Sequence, residues 1–325
     1  MRGASSHWAN RPPVIRALVS IGTNSTRLLV LDGDRRLAAE SRGTRIGQGI
    51  GETGAIEPEA RARTLAVIDD YVAEARGFGV SAIDAIATSA LRRASDGEGF
   101  AAEVQARVGI APRILRGAEE ATYSFLGATH TRSGEAVVAV LDVGGGSAEI
   151  AVDAPAHARA SGSVERALSL EVGAVRLSER HPALLGGRAL DDAERAGLEK
   201  DARADASAVL APFEAVRGFT ELIAVGGTVF TAAGMLCGGA VDGTTMTHAD
   251  REHLIDELLR RDLDARKAMP HIRPQRADIL PAGLIVVDEA CRLLGVDSCT
   301  VSEADLLLGY LTSPAFRAIP FRPQS

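Results

Sequence analysis

Residues 138–152 read Val-Ala-Val-Leu-Asp142-Val-Gly144-Gly145-Gly146-Ser147-Ala-Glu149-Ile-Ala-Val, and no other stretch constrains the chain as strongly. Two apolar, β-rich runs flank a turn of three glycines and a serine, with a carboxylate at each edge. Glycine lacks a Cβ, so such a turn lets bare backbone N–H groups come close to an anion. Asp142 and Glu149 stand where they can hold a hard cation beside that anion. The alternatives are an ordinary hairpin or a flexible linker, but linkers are not bracketed by runs this apolar.

A second copy lies earlier. Residues 18–30 read Leu-Val-Ser20-Ile-Gly22-Thr23-Asn24-Ser25-Thr-Arg27-Leu-Leu-Val. Gly22 aligns with Gly144, Ser25 with Ser147 and Leu28 with Ile150. Two such hairpins suggest a duplicated fold that holds a ligand between related halves, against chance similarity of two short segments. Where the later copy has Asp142, the earlier has Ser20. A hydroxyl can donate to phosphate, but it brings no negative charge for a divalent cation.

With 325 residues the chain is long for one core, so two domains are expected. A hydrophobic share of 46% with 24% charged residues is that of a soluble globular protein. No apolar run approaches the ~20 residues of a transmembrane helix, so no membrane partner is expected. The net charge of −7 argues against a nucleic-acid partner bound by general basicity. Of 36 basic residues only Lys200 and Lys267 are lysines. That leaves no Walker A lysine, no kinase strand lysine and no Schiff-base lysine in the first half. Phosphate charge must be met by backbone N–H, arginine and metal. Cys237, Cys291 and Cys299 have neither disulfide-framework nor zinc spacing, which makes the cytoplasm the default location. Residues 1–13 are polar and lack the apolar core of a signal peptide, and read as a disordered tail.

Patterning predicts strands at 14–19, 27–32 and 36–41, then a glycine-rich loop over 43–56. A helix over 57–77, a strand at 83–87, a helix at 96–108, a strand at 113–115 and a helix from Ala118 follow. The second half restarts with the 137–152 hairpin and a strand at 166–171. A long helix falls within 190–213, then a strand at 222–225 precedes Gly226-Gly227-Thr228, a helix start suited to an anion. Helices at 249–260, 274–282 and 284–294, a strand at 298–302 and a last helix at 304–311 complete the pattern. The boundary falls in 131–135. His248 and His253, five apart, share no helical face and read as surface residues, while Thr247 reads as a helix N-cap.

Six motifs in order resemble those of the exopolyphosphatase/guanosine pentaphosphate phosphohydrolase (Ppx/GppA) family. They are Ile21-Gly-Thr-Asn-Ser-Thr-Arg-Leu, Ala87-Thr-Ser-Ala-Leu-Arg92-Arg93-Ala, Arg116-Gly-Ala-Glu119-Glu120-Ala121, the Asp142–Glu149 hairpin, Ser169-Leu-Glu-Val-Gly173-Ala-Val-Arg176-Leu and Val225-Gly-Gly-Thr228. The resemblance implies an α/β protein with two actin-like (ribonuclease H-like) lobes and the active site in the cleft between them. The first lobe would span 14–132, completed by the C-terminal segment 304–325, and the second 133–303. It further implies an exopolyphosphatase, with pppGpp (giving ppGpp) as a second candidate substrate; a homodimer is the default assembly on general grounds.

On this reading Glu120 orients or deprotonates the attacking water. Adjacent helical residues point about 100° apart, so at most one of Glu119 and Glu120 faces the cleft. Complementing a helix dipole is the plainer role for such a pair. By the same carry-over Asp142 and Glu149 hold Mg²⁺ or another divalent cation. Gly144, Gly145, Gly146 and Ser147 donate to one phosphate; Gly22, Thr23, Asn24 and Ser25 cradle its neighbour. Arg27, Arg92 and, with weaker motif support, Arg93 contact the polyanion, although each taken alone reads more readily as a solvated charge. Gly226, Gly227 and Thr228 close the set.

The chain departs from the family at Ser20, where the family has Asp, and at Ala148, where it has Thr. The family's Gly-Leu-Arg-Glu-Gly appears as Asp305-Leu306-Leu307-Leu308-Gly309. These departures imply that the metal is held mainly from the second hairpin. They also motivate a second reading, a weakened polyphosphate- or (p)ppGpp-binding sensor; a third reading, an actin-like sugar or acetate kinase, is set back because the Gly-x-Glu-Glu-Ala element fits water activation better than phosphorylation of a hydroxyl.

Overall fold

The computed structural model describes residues 15–313 and residue 316, so the tail expected at 1–13 lies outside the described residues. The chain forms two sheets built to one plan. The first has β1 (Ile15–Ile21), β2 (Thr26–Asp32), β3 (Arg35–Arg42), β4 (Ala82–Ala87) and β5 (Arg113–Ile114), in spatial order β3-β2-β1-β4-β5. β1, β2 and β3 form an antiparallel meander, and β4 and β5 continue parallel to β1. The second has β6 (Val138–Val143), β7 (Ala148–Asp153), β8 (Arg166–Leu170), β9 (Leu222–Val225), β10 (Thr245–Thr247) and β11 (Ser298–Val301). Its order, β10-β11-β9-β6-β7-β8, repeats the meander and the parallel continuation, with β10 added at the edge. The molecule is thus an α/β protein with two ribonuclease H-like, actin-like lobes.

Helices α1 (Ile50–Thr53), α2 (Pro58–Gly77), α3 (Ser89–Arg93) and α4 (Gly97–Val108) belong to the first lobe. Its outer core joins Ile68, Tyr71 and Val72 of α2 and Phe100 of α4 to Val19, Leu28 and Ala85 of the sheet. α5 (Gly117–Ala128) leads into the second lobe. There α6 (Pro155–Ser161), α7 (Ala174–Arg180), α8 (Asp192–Leu210), α9 (Gly227–Cys237), α10 (His248–Leu259), α11 (Leu263–Lys267) and α12 (Leu280–Leu294) follow, and α13 (Leu306–Thr312) comes last. α12 is the central helix of the second core, with nearly every residue buried.

The inner faces of the two sheets are covered crosswise. Leu306, Tyr310 and Leu311 of α13 return to Leu18, Leu29 and Ile86 of the first sheet. Ala121 and Phe125 of α5 pack on Val138, Ala151 and Ile223 of the second. α5 and α13 meet backbone to backbone: a Cβ on Gly127 would lie 1.9 Å from the Asp305 carbonyl oxygen, and one on Gly309 would lie 1.9 Å from that of Tyr123. Glycine is required at both crossings.

The expected pattern changes in two places. The loop over 43–56 contains the short α1. The two helices expected at 274–282 and 284–294 are one, α12, preceded by a 3₁₀ turn over Pro274–Arg276. Gly283, which looks like a break, lies inside that helix because a Cβ there would come within 2.4 Å of Thr228 Oγ1. The residue is small for packing, and the helix runs on through it. Among the described residues no helix is long and apolar enough to cross a membrane.

Candidate active site

Both hairpins close with the same turn. Gly22 N–H donates to the Ser25 carbonyl at 3.0 Å, and Gly144 N–H to that of Ser147 at 3.0 Å. The registers match as well. Ser20 pairs with Arg27 across β1 and β2, as Asp142 pairs with Glu149 across β6 and β7. Residues paired across two strands present their side chains on one sheet face, so the first hairpin offers a hydroxyl and a guanidinium where the second offers two carboxylates.

The two turns touch. A Cβ on Gly146 would lie 2.7 Å from Thr23 Oγ1 and 2.8 Å from Ser89 Oγ, and one on Gly145 would lie 3.1 Å from Thr23 Cβ. Between them is a cavity of about 110 Å³. Its walls include Gly22, Thr23, Asn24, Ser25 and Arg27 from the first hairpin, and Asp142, Gly144, Gly145, Gly146, Ser147 and Glu149 from the second. Glu120 and the Gly226-Gly227-Thr228 helix start complete it, with Ser20 also in the wall. Gly226 has φ +102, and a Cβ there would sit 2.9 Å from Asp142 Oδ1, so the backbone conformation and the close approach both demand glycine.

Arg92 and Arg93, expected to contact the polyanion, are not among the residues that line this cavity. Arg92 ion-pairs with Glu120 and donates to the Leu115 carbonyl at 2.7 Å. Arg93 lies 3.4 Å from Glu171.

Glu119 and Glu120 divide as helical geometry requires. Glu119 turns back to the start of α5, where its carboxylate accepts from Arg116 N at 2.9 Å and pairs with Arg113. Glu120 is 5% exposed and faces Arg92. Burial pushes the Glu120 carboxyl up to about 7, against the pull of Arg92. Burial likewise raises Asp142 to about 6, opposed by the Ser124 hydroxyl, which donates to its Oδ2 at 2.6 Å. Glu149 is raised well above the usual carboxylate range by burial and by the charges of Glu120 and Asp142. Its Oε1 accepts from Ser169 Oγ at 2.7 Å. The buried Glu120 and Glu149 and the half-buried Asp142 all line one cavity and offer it oxygen donors, the ligand chemistry that a hard divalent cation takes.

One cleft residue escaped the sequence reading. Arg276, in the 3₁₀ turn before α12, lies over the start of α9, where a Cβ on Gly227 would come within 2.2 Å of its Cζ. Its nearest polar partner is Ser25 Oγ at 3.4 Å. Burial and the neighbouring charges of Arg27 and Arg273 depress it to about 10. A guanidinium held against a helix N-terminus and crowded by other cations is poised for an anion. No motif marks it, because only the fold brings 276 beside 25 and 227.

A larger cavity, about 300 Å³, adjoins the first. The two share Arg27, Gly226, Gly227, Arg276, Asp305 and Leu307. Phe230, Leu29 and Leu31 give the larger one apolar walls, beside an Arg36–Glu303 pair at 2.6 Å. Outside the cleft, His248 and His253 are exposed as expected. His248 Nδ1 bonds Asp288 at 2.9 Å, and Asp288 also takes Arg203 and Arg251 at 2.7 Å each. That group is an ion-pair cluster joining α8, α10 and α12. Thr247 caps α10, accepting from Asp250 N at 3.2 Å.

Residues 32–315 match the profile of the Ppx/GppA phosphatase family. Exopolyphosphatase 2 of Mycobacterium tuberculosis is 32% identical over 324 residues, covering 92% of this chain and 98% of that protein. Guanosine-5'-triphosphate,3'-diphosphate pyrophosphatase of Vibrio atlanticus is 25% identical, covering 91% of this chain and 58% of its own length. Among solved structures, an exopolyphosphatase-like protein superposes with a TM-score of 0.80 at 27% identity, over 92% of this chain and 98% of its own.

Proposed function

This chain belongs to the Ppx/GppA phosphatase family, and from that membership we propose that it is an exopolyphosphatase releasing terminal orthophosphate from inorganic polyphosphate. The observation that carries the proposal is Glu120: buried, turned into the cavity between the two glycine turns, and separated in role from Glu119.

The terminal phosphoryl group would lie between the turns, taking N–H donors from Gly145–Ser147 and Thr23–Ser25, since the Gly22 and Gly144 N–H groups are spent on closing the turns. Such preformed donors stabilise charge as it develops, without reorganisation. Glu120 accepts a proton from a water whose oxygen attacks the terminal phosphorus. The bridging P–O bond breaks, and the shortened chain leaves as an anion facing Arg27 and Arg276. Arg92 keeps the Glu120 carboxylate oriented and its charge balanced between turnovers. A divalent cation, Mg²⁺ in the first instance, held by Asp142 and Glu149, would supply positive charge to the phosphoryl oxygens.

A second candidate substrate is pppGpp, favoured by the larger cavity, whose apolar walls beyond Arg27 suit a nucleoside better than a bare phosphate chain. The competing reading, a polyphosphate or (p)ppGpp sensor with weakened chemistry, is motivated by Ser20 in place of a carboxylate. Phosphate release from polyphosphates of defined length and from pppGpp, with Mg²⁺, separates these readings. The enzyme reading expects release that falls about 10³-fold in Glu120→Gln. Tight polyphosphate binding with no release above the Glu120→Gln background would establish the sensor instead.

A further inference from the structure

The partition between the two cavities is an ion pair. Arg27 Nη1 meets Asp305 Oδ2 at 2.6 Å, and both residues line both cavities. Asp305 is 8% exposed and held from two sides. Its Oδ1 caps α13 by accepting from Leu307 N at 3.1 Å, and its carbonyl is packed against Gly127 of α5. Arg27 reaches it on a long side chain from β2. The carboxylate is therefore the fixed partner and the guanidinium the mobile one.

Charge sharpens the point. Arg27 is a cation of the first phosphate turn, and Asp305 holds it. The same carboxylate adds its repulsion to Asp142 across the cavity. Any anion reaching Arg27 must compete with Asp305 and bear its field.

We propose that Asp305 is a specificity-determining residue: an internal counter-anion that occupies Arg27 and disfavours the further phosphates of a chain whose terminal group is seated between the turns. This inference rests on the phosphatase reading of the cleft, and it concerns how many phosphates the cleft accepts. The terminal phosphate meets the turn amides and is indifferent to Asp305. A chain long enough to run past Arg27 has to displace it.

Asp305→Asn provides the test, because asparagine caps a helix as well as aspartate and removes only the charge. Binding of orthophosphate and tripolyphosphate is measured calorimetrically with Mg²⁺ in the slow Glu120→Gln protein, with and without Asp305→Asn, and melting curves confirm the fold. The proposal expects tripolyphosphate to bind about tenfold tighter in Asp305→Asn, orthophosphate to change less than about twofold, and the gain to vanish when Arg27→Ala is added. Unchanged or weaker tripolyphosphate binding, with the parent protein binding normally, would overturn it. Absence of phosphate binding in every variant would instead overturn the phosphatase reading on which it stands.

Discussion

The β1–β2 and β6–β7 hairpins share a turn, a hydrogen bond and a register, yet they differ in charge at the one cross-strand pair that faces the cleft. Ser20 and Arg27 occupy the positions that Asp142 and Glu149 occupy in the other lobe. On the proposed function, the difference lets a duplicated fold bind two unlike charges at once: one copy would keep a cation for phosphate and the other acids for a metal, with Glu120 entering from α5, the helix that covers the second sheet.

The division can be broken at several strengths. The largest effect is expected where the second hairpin's acids are oriented. Ser124, one turn after Glu120 on α5, and Ser169 on β8 each donate to one of these acids. Hydrogen bonds of this kind fix a metal ligand's geometry, so Ser124→Ala should lower Mn²⁺ affinity, read by titration calorimetry, by about 10- to 100-fold. Ser124→Thr, which keeps the hydroxyl, should largely restore it.

Ser20→Asp makes the first hairpin resemble the second and should raise divalent-cation affinity by roughly tenfold. Unaltered affinity would mean that the new carboxylate is consumed by Arg27 across the strand pair.

The smallest effect is on stability. Carboxyls raised in the folded protein bind protons that the unfolded chain has already lost, so their contribution to stability falls as pH rises. For Glu120 and Asp142 that window runs from the ordinary carboxylate range up to about 7 and about 6, and Glu149 is raised in the same direction by burial and by the charges of Glu120 and Asp142. Without divalent cation, wild type should therefore lose a few degrees of Tm relative to Glu149→Gln between pH 5 and 8, about what one or two kcal/mol gives in a chain of this size. Added Mg²⁺ should recover the loss in wild type and have little effect in Glu149→Gln.

The hairpins were legible because glycine turns between β-rich runs leave a local signature, and strand ends such as Leu222–Val225 fell where patterning put them. The split of Glu119 from Glu120 followed from helical geometry alone. Less visible were short helices such as α3 and α7, too brief to show a period. The continuity of α12 through Gly283 was hidden as well, because a glycine kept small for packing on Thr228 looks like a terminator. Arg276 and the Arg27–Asp305 pair were out of reach for a different reason. Their partners are 251 and 278 residues away in the chain, and only the return of α13 to the first sheet brings the latter pair together.

The central claim, that one hairpin serves the anion and the other the cation, is tested most directly by titrating Mn²⁺ and tripolyphosphate separately into Arg27→Ala and Glu149→Gln proteins. The account predicts a crossed result. Arg27→Ala should weaken tripolyphosphate by about tenfold while leaving Mn²⁺ at least as tight, and Glu149→Gln should weaken Mn²⁺ by a similar factor while leaving tripolyphosphate at least as tight. Equal loss of both ligands in both variants would contradict it.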